Sequence, residues 1–255
     1  MLSIVATETS VLTFISIPGL AYRDNWFFLQ LALGYILGRI LVSIFLLPAY
    51  FKGGITSIYE VLGDRFGIKI QKTASGVFLI TRILADGIRF LATAVIVQVV
   101  TGWSLPVAVL IIGAVTIVYT LMGGIRTVVW VDSFQFVLYI GGGLIAIIYI
   151  LMHSDASLGT MMTQLNDQGK LDIVRWGWDL FSNPWLFISA VFGGMLLSFA
   201  SHGADYMMVQ RVLSVRNLTG ARKAMIGSGI FVFIQFSVFL LAGSLIYIYL
   251  GGIEL

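Results

Sequence analysis

Apolar runs recur along this chain, most of them at or near the roughly 20 residues that a helix needs to cross a bilayer. They cover about 1–21, 25–50, 73–101, 105–122, 127–151, 185–209 and 223–250. Inside lipid the backbone has no water to bond, so a span must satisfy itself as a helix or within a closed barrel. Runs of this length read as helices. The expected fold is all-α: a polytopic transmembrane helix bundle, one transmembrane domain over 1–255 with seven spans. Charge supports this. Only 11 % of residues are charged and 59 % are hydrophobic, whereas a soluble domain carries about 25 % charged residues.

The same numbers narrow the partners to a lipid bilayer and small ligands. The net charge of +3 calls for no nucleic acid, because cytoplasmic loops of membrane proteins collect Lys and Arg. With no cysteine and only His153 and His202, neither a disulfide framework nor a thiolate metal site is available. No nucleophile–base pair stands out, so an enzyme is not expected. The first run begins at residue 1 without a basic flank, which reads as a chain cut from a longer one rather than a leader peptide.

Loop charge sets the orientation. Lys52, Arg65, Lys69 and Lys72 follow the second span, Arg126 the fourth, and Arg211, Arg216, Arg222 and Lys223 the sixth. Those loops are expected in the cytoplasm of a cell whose plasma membrane holds the protein. The loop of roughly 30 residues between the fifth and sixth spans, with Trp176, Trp178 and Trp185, then lies outside at the membrane interface. Ile58, Val61, Leu62 and Phe66 share one helical face of a polar segment and predict a short interfacial helix. Gly34 and Gly38 match the spacing that lets two helices approach closely.

Polar residues inside the spans carry the functional reading. Ala6-Thr7-Glu8-Thr9-Ser10 places a carboxylate and three hydroxyls within the first run. An ionisable group in hydrocarbon is expensive and marks a functional site by default. The expectation is that the helix opens here, and that its carbonyls and hydroxyls bind an ion and a solute; the alternative is a Glu8 paired inside the bundle. Arg82, Asp86 and Arg89 share a face of the third span. Arg89 could fork onto a solute carboxylate, or pair with Glu8. Asp132 either pairs with Arg126 or lines an inner ion path, where sodium as a hard cation takes oxygen ligands. In the sixth span, Ser198 to Asp205 again interrupts an apolar run; His202 there reads as a hydrogen-bonding residue rather than a metal ligand. Spans one and six are five apart, as expected for inverted repeats that each begin with a broken helix.

On these residues the chain resembles the sodium/solute symporter family. Four stretches carry the likeness: Ala6–Ser10 through Ile17-Pro18-Gly19; Tyr59-Glu60-Val61-Leu62 with Arg65-Phe66-Gly67; Gly123-Gly124-Ile125-Arg126 through Asp132-Ser133-Phe134-Gln135; and Asp205 through Gln210-Arg211. The resemblance implies a LeuT-like fold of ten core helices in two inverted repeats, of which this chain would hold seven. It implies sodium-coupled symport of a small organic solute by alternating access, with sodium as coupling ion and no other cofactor. Carried over by position, the sodium ligands would be the carbonyls of Ala6 and Thr9. Asp132 would serve a second sodium site or the exit path. Glu8, Ser10, Arg89 and His202 are the candidate solute contacts. Tyr206 and Ala204 depart from the usual glutamine and threonine. A symporter-like sensor domain of a signalling protein is the alternative.

Overall fold

The structure, a computed structural model, describes residues 2–53, 58–180, 182–215 and 217–252. Arg216, Glu254 and the side chains of Ile58 and Arg126 fall outside the described residues, and with them the expected Asp132–Arg126 pair. The described chain is helical throughout its regular structure: α1 Leu2–Glu8, α2 Val11–Arg23, α3 Phe28–Leu41, a π-turn Val42–Leu46, α4 Leu47–Gly53, α5 Ile58–Phe66, α6 Ile68–Thr101, α7 Leu105–His153, α8 Leu158–Asp167, α9 Phe187–Gly203, α10 Tyr206–Leu213 and α11 Leu218–Tyr249. Among the described residues, five stretches are long and apolar enough to cross a membrane: Phe28–Lys52, Ile68–Thr101, Leu105–Gly124, Trp130–His153 and Leu218–Tyr249. α9 and α10 together make a sixth, bent by 66°. The opening run is divided, and its longer piece, α2, has 13 residues.

The chain packs as two compact units, Met1–Gly54 with Phe136–Leu255, and Ile55–Gln135. In the first unit, α3 packs along α9 and α2 along α11. Small residues set both contacts. A methyl group on Gly34 would overlap the Val191 carbonyl, one on Gly38 the Met195 carbonyl, and one on Gly194 the Leu31 carbonyl. Lipid gives no hydrophobic drive between helices, so close backbone approach supplies the dispersion contacts. Gly243 of α11 likewise faces the Pro18 carbonyl of α2 with no room for a Cβ. Val5, Ala21, Leu29, Phe236, Phe239 and Leu240 form the apolar core around these seams. Phe14 stacks on Tyr139 and meets Phe239 edge-on, both with ring centroids 5.5 Å apart.

The loop before α9 is pinned to this unit. The Gln30 amide Nε2 donates to the Trp185 and Phe27 carbonyls, and its Oε1 accepts from the Arg175 N–H. Lys170 Nζ donates to the Tyr22 carbonyl at 2.8 Å and lies 3.9 Å from the Tyr247 ring centroid. An ammonium there meets the carbonyl end of α2, where the helix dipole favours positive charge. This loop also contains α8, which its polar composition did not announce.

In the second unit, Gly67 (φ 87°) turns α5 sharply into α6, and Tyr59 packs on Phe78 with centroids 5.8 Å apart. The segment expected to form a short interfacial helix is helical, as α5. α6 presents Val77, Ile80, Ile83, Leu84 and Ile88 outward, as a lipid-facing or helix-facing surface does. α7 kinks at Gly124, whose φ of 56° and ψ of −156° suit only glycine.

Candidate functional site

The first span breaks at Thr9-Ser10. The Thr9 N–H closes α1 by donating to the Val5 carbonyl at 3.0 Å, and its hydroxyl donates to the same oxygen. Ser10 then adopts an extended conformation (φ −121°, ψ 166°) and caps α2, its Oγ accepting from the Thr13 N–H. A Ser in this position satisfies one of the orphan donors of the new helix. Among the described residues no backbone N–H reaches the carbonyl of Ala6 or Thr9. Those oxygens belong to the last turn of α1 and the break itself, where an α-helix leaves carbonyls unmatched.

The sixth span breaks in the same manner. α9 closes with the Ala204 N–H on the Ala200 carbonyl. Asp205 caps α10, its Oδ1 accepting from the N–H groups of Met207 and Met208 at 2.9 and 3.1 Å. The Gly203 carbonyl accepts the Tyr50 hydroxyl at 2.7 Å. Leu46 of the π-turn fills the space that a Cβ on Gly203 would need. The π-turn is held by Arg222, whose Nε donates to the Ser43 carbonyl at 2.9 Å. Such a turn inside a helix is a common mark of functional sites.

One side chain touches both breaks. Glu8, the last residue of α1, receives Arg39 Nη2 on both carboxylate oxygens, at 2.7 and 2.6 Å. His202, on the last turn of α9, brings Nε2 to 2.5 Å from Glu8 Oε1, an ion-pair contact out of line for a hydrogen bond. Arg39 Nη1 donates to Ser228 of α11 at 2.7 Å, and Gly229 leaves room for the arginine stem, Cδ lying 3.0 Å from where a Cβ would stand. His202 Nδ1 faces the Ser198 carbonyl and the Ser201 hydroxyl. Arg39 and His202 are buried to 1 % and 2 % exposure. A carboxylate and a guanidinium this deep persist because each neutralises the other, with Arg39 Nε left without a hydrogen-bond partner among the described residues.

Of the two openings left to Glu8, pairing within the bundle is the one found, and its cation is Arg39 rather than Arg89. Arg89 instead lies 3.5 Å from Asp86 on its own helix, and Arg82 Nε donates to Asp86 at 2.7 Å; that stripe is matched along α6. Ser10 and His202 sit at the two breaks. Asp132, half-buried on α7 beyond the Gly124 kink, belongs to the second unit. Sequence reasoning missed Arg39, taking 25–50 as an apolar span. An arginine inside such a run is expensive and calls for a partner, but that signal alone does not single out Glu8.

Thr9 adds a further tie. Its Oγ1 lies 3.0 Å from the Gln235 Oε1 of α11 as well as from the Val5 carbonyl, one proton shared between two acceptors, so α11 reaches Glu8 through Ser228 and Arg39 and reaches Thr9 through Gln235.

Two interrupted spans, five apart by the expected count, with helix ends converging on a buried polar cluster, are the arrangement of the LeuT-like fold. Within that fold the chain belongs to the sodium:solute symporter family, whose model matches residues 1–254. It is 30 % identical over 253 residues to the sodium/sialic acid symporter SiaT of Proteus mirabilis, covering 97 % of this chain and 50 % of that protein. It is 26 % identical over 248 residues to the human sodium/iodide cotransporter, covering 97 % of this chain and 38 % of that one. A solved substrate-bound, outward-open structure of a Na+-coupled sialic acid symporter superposes with a TM-score of 0.85 at 27 % identity, over 98 % of this chain and 53 % of the solved one. The chain thus spans about half or less of the length of these relatives.

Proposed function

We propose that this chain is part of a sodium-coupled symporter that moves a small organic solute across the plasma membrane by alternating access. The observation that carries the reading is the pair of interrupted spans with the unmatched carbonyls of Ala6 and Thr9 beside the first break. α1 and α2 together form one span, which with the six others makes seven. Main-chain oxygens at a helix C-terminus carry partial negative charge and suit a hard monovalent cation. The N-terminal ends of α2 and α10 point partial positive charge at an acceptor group.

In this reading the Ala6 and Thr9 carbonyls ligate sodium, and solute binds next to it near Ser10 and His202. Glu8 shapes that site through Arg39 and His202. Asp132, in the second unit, is assigned an inner sodium or exit position. The loop bearing Lys170 and Arg175 faces outside. One sodium ion falling through 100 mV supplies about 2.3 kcal/mol, and a tenfold gradient about 1.4 kcal/mol more. Together they sustain roughly a 500-fold solute gradient by the same conversion.

Uptake into cells or vesicles containing the full-length protein tests this. Accumulation that collapses when choline replaces sodium is the expected result. Accumulation indifferent to the replacement rejects sodium coupling.

A further inference from the structure

Away from both breaks, a pocket lies at the far end of α2, where the chain turns into α3 beside the loop before α9. It holds about 440 Å³ of open space, and Asp24, Asn25, Phe27, Phe28, Arg175 and Trp185 line it. That size is usual for a small-molecule site. The 13 residues of α2, at about 1.5 Å each, set it roughly 20 Å from the Thr9-Ser10 break. Glu8, Arg39 and His202 are not among its walls.

The backbone under Arg175 is fixed on both sides. Its N–H donates at 3.2 Å to Oε1 of Gln30, a side chain with 0 % exposure. Its carbonyl accepts the Phe187 N–H at 2.8 Å. The guanidinium carbon lies 5.7 Å from the centroid of the Phe27 ring, and Asn25 Oδ1 holds Phe27 in place by accepting its N–H at 3.1 Å. A ring contact uses none of the five N–H donors of an arginine. Among the described residues the Arg175 guanidinium has no carboxylate partner.

Asp24 is the acid of the same pocket. Lys170, whose charge acts on it, spends its donors elsewhere: Nζ donates to the Tyr22, Arg23 and Asp24 carbonyls and faces the Tyr247 ring. Among the described residues no ion pair joins the Asp24 carboxylate to Lys170 or to Arg175. A cation and an anion that line one pocket without meeting offer complementary ends to a third group. Phe28 and Trp185, with ring centroids 6.5 Å apart, add aromatic faces of the kind that attract an ammonium.

We propose that this pocket is a second ligand site, built for a small zwitterion. Arg175 donates to the ligand's carboxylate or phosphate oxygens, and the ligand's ammonium group lies against Asp24 and the Trp185 ring. The site is separate from the polar cluster at the breaks and needs no sodium. The same chemistry belongs to a free amino acid and to an ethanolamine phospholipid headgroup. The headgroup is within reach because Trp176 and Trp178 of the same loop are 72 % and 93 % exposed, as suits tryptophans at a membrane interface.

Isothermal titration of the purified full-length protein in potassium chloride tests this. Glycine, β-alanine and γ-aminobutyrate, which space the two charges progressively, are compared with acetate and glycinamide, which carry one charge each. Native mass spectrometry of the same protein compares phosphatidylethanolamine with phosphatidylglycerol, which lacks the ammonium. The expected result is that at least one zwitterion binds, and that its single-charge analogues bind roughly tenfold more weakly or worse. Binding of a soluble amino acid assigns the free solute; binding of phosphatidylethanolamine alone assigns the headgroup. Asp24 and Arg175 are exposed, so Asp24→Asn and Arg175→Gln should keep the wild-type melting temperature. Each should weaken the zwitterion roughly ten- to hundred-fold, the loss of one hydrogen bond to a charged group. Arg175→Lys, which keeps the charge and loses the fork, should fall between.

Four results overturn the proposal: no zwitterion bound, equal binding of the single-charge analogues, wild-type affinity in either charge-removing variant, or binding that appears only when sodium replaces potassium. The carrier reading is decided separately, by uptake in sodium against choline.

Discussion

Arg39 closes both of its contacts to Glu8 through a single nitrogen, Nη2, at 2.7 and 2.6 Å, and turns Nη1 to Ser228 of another helix. The pair therefore fastens α1, α3 and α11 at one point.

Removing either partner leaves the other charge buried and unmatched, at a cost of about 3–5 kcal/mol. Glu8→Gln and Arg39→Met should each lower the melting temperature of the full-length protein in detergent sharply. The double variant should lose less than the sum of the two. Strict additivity would show that the two side chains do not act together.

Gly34 and Gly38 lie against backbone of α9, whereas Gly193 on that same helix faces open space. Gly38→Leu should force α3 off α9 and destabilise by about 1–3 kcal/mol, the usual overpacking cost. Gly193→Ala should be neutral or slightly stabilising, since alanine is the better helix former. Equal thermal stability of the two variants would contradict the close seam.

Asp205 starts α10 by accepting two backbone N–H groups. Asp205→Ala should cost about 0.5–2 kcal/mol, the range for a lost N-cap, while Asp205→Asn should retain most of it. Hydrogen exchange of the Met207 and Met208 amides reads this locally. Unchanged protection in the alanine variant would place the restraint elsewhere.

Asp132→Asn should shift the sodium activation of uptake to higher concentration and leave solute affinity at saturating sodium nearly unchanged. Wild-type sodium activation in that variant would make Asp132 a structural residue.

Much of this arrangement could be read in advance. Length and apolarity located the helices, and the hydroxyls around Glu8 marked where the first one opens, because Thr and Ser side chains can take over freed backbone groups. The same reasoning placed the second opening near His202 and Asp205. It failed where the signal was one residue in an apolar context. Arg39, Gln30 and Gln235 each sit among Leu, Ile, Phe and Gly, and nothing local distinguishes an arginine that meets a carboxylate from one that reaches the interface. Their partners lie 31, 145 and 226 positions away in the chain. Such pairings follow from which helices adjoin, which hydropathy does not encode. α8 was missed for a different reason: its apolar face is only Met161 and Leu165, too short a stripe to stand out in a polar loop.

The meeting of Gly243 with the Pro18 carbonyl has a mechanical corollary. With no side chain between them, nothing spaces the two backbones, and even a methyl at Gly243 would wedge α11 away from α2. The seating of the opening span on α11 thus hangs on the smallest substituent a residue can carry.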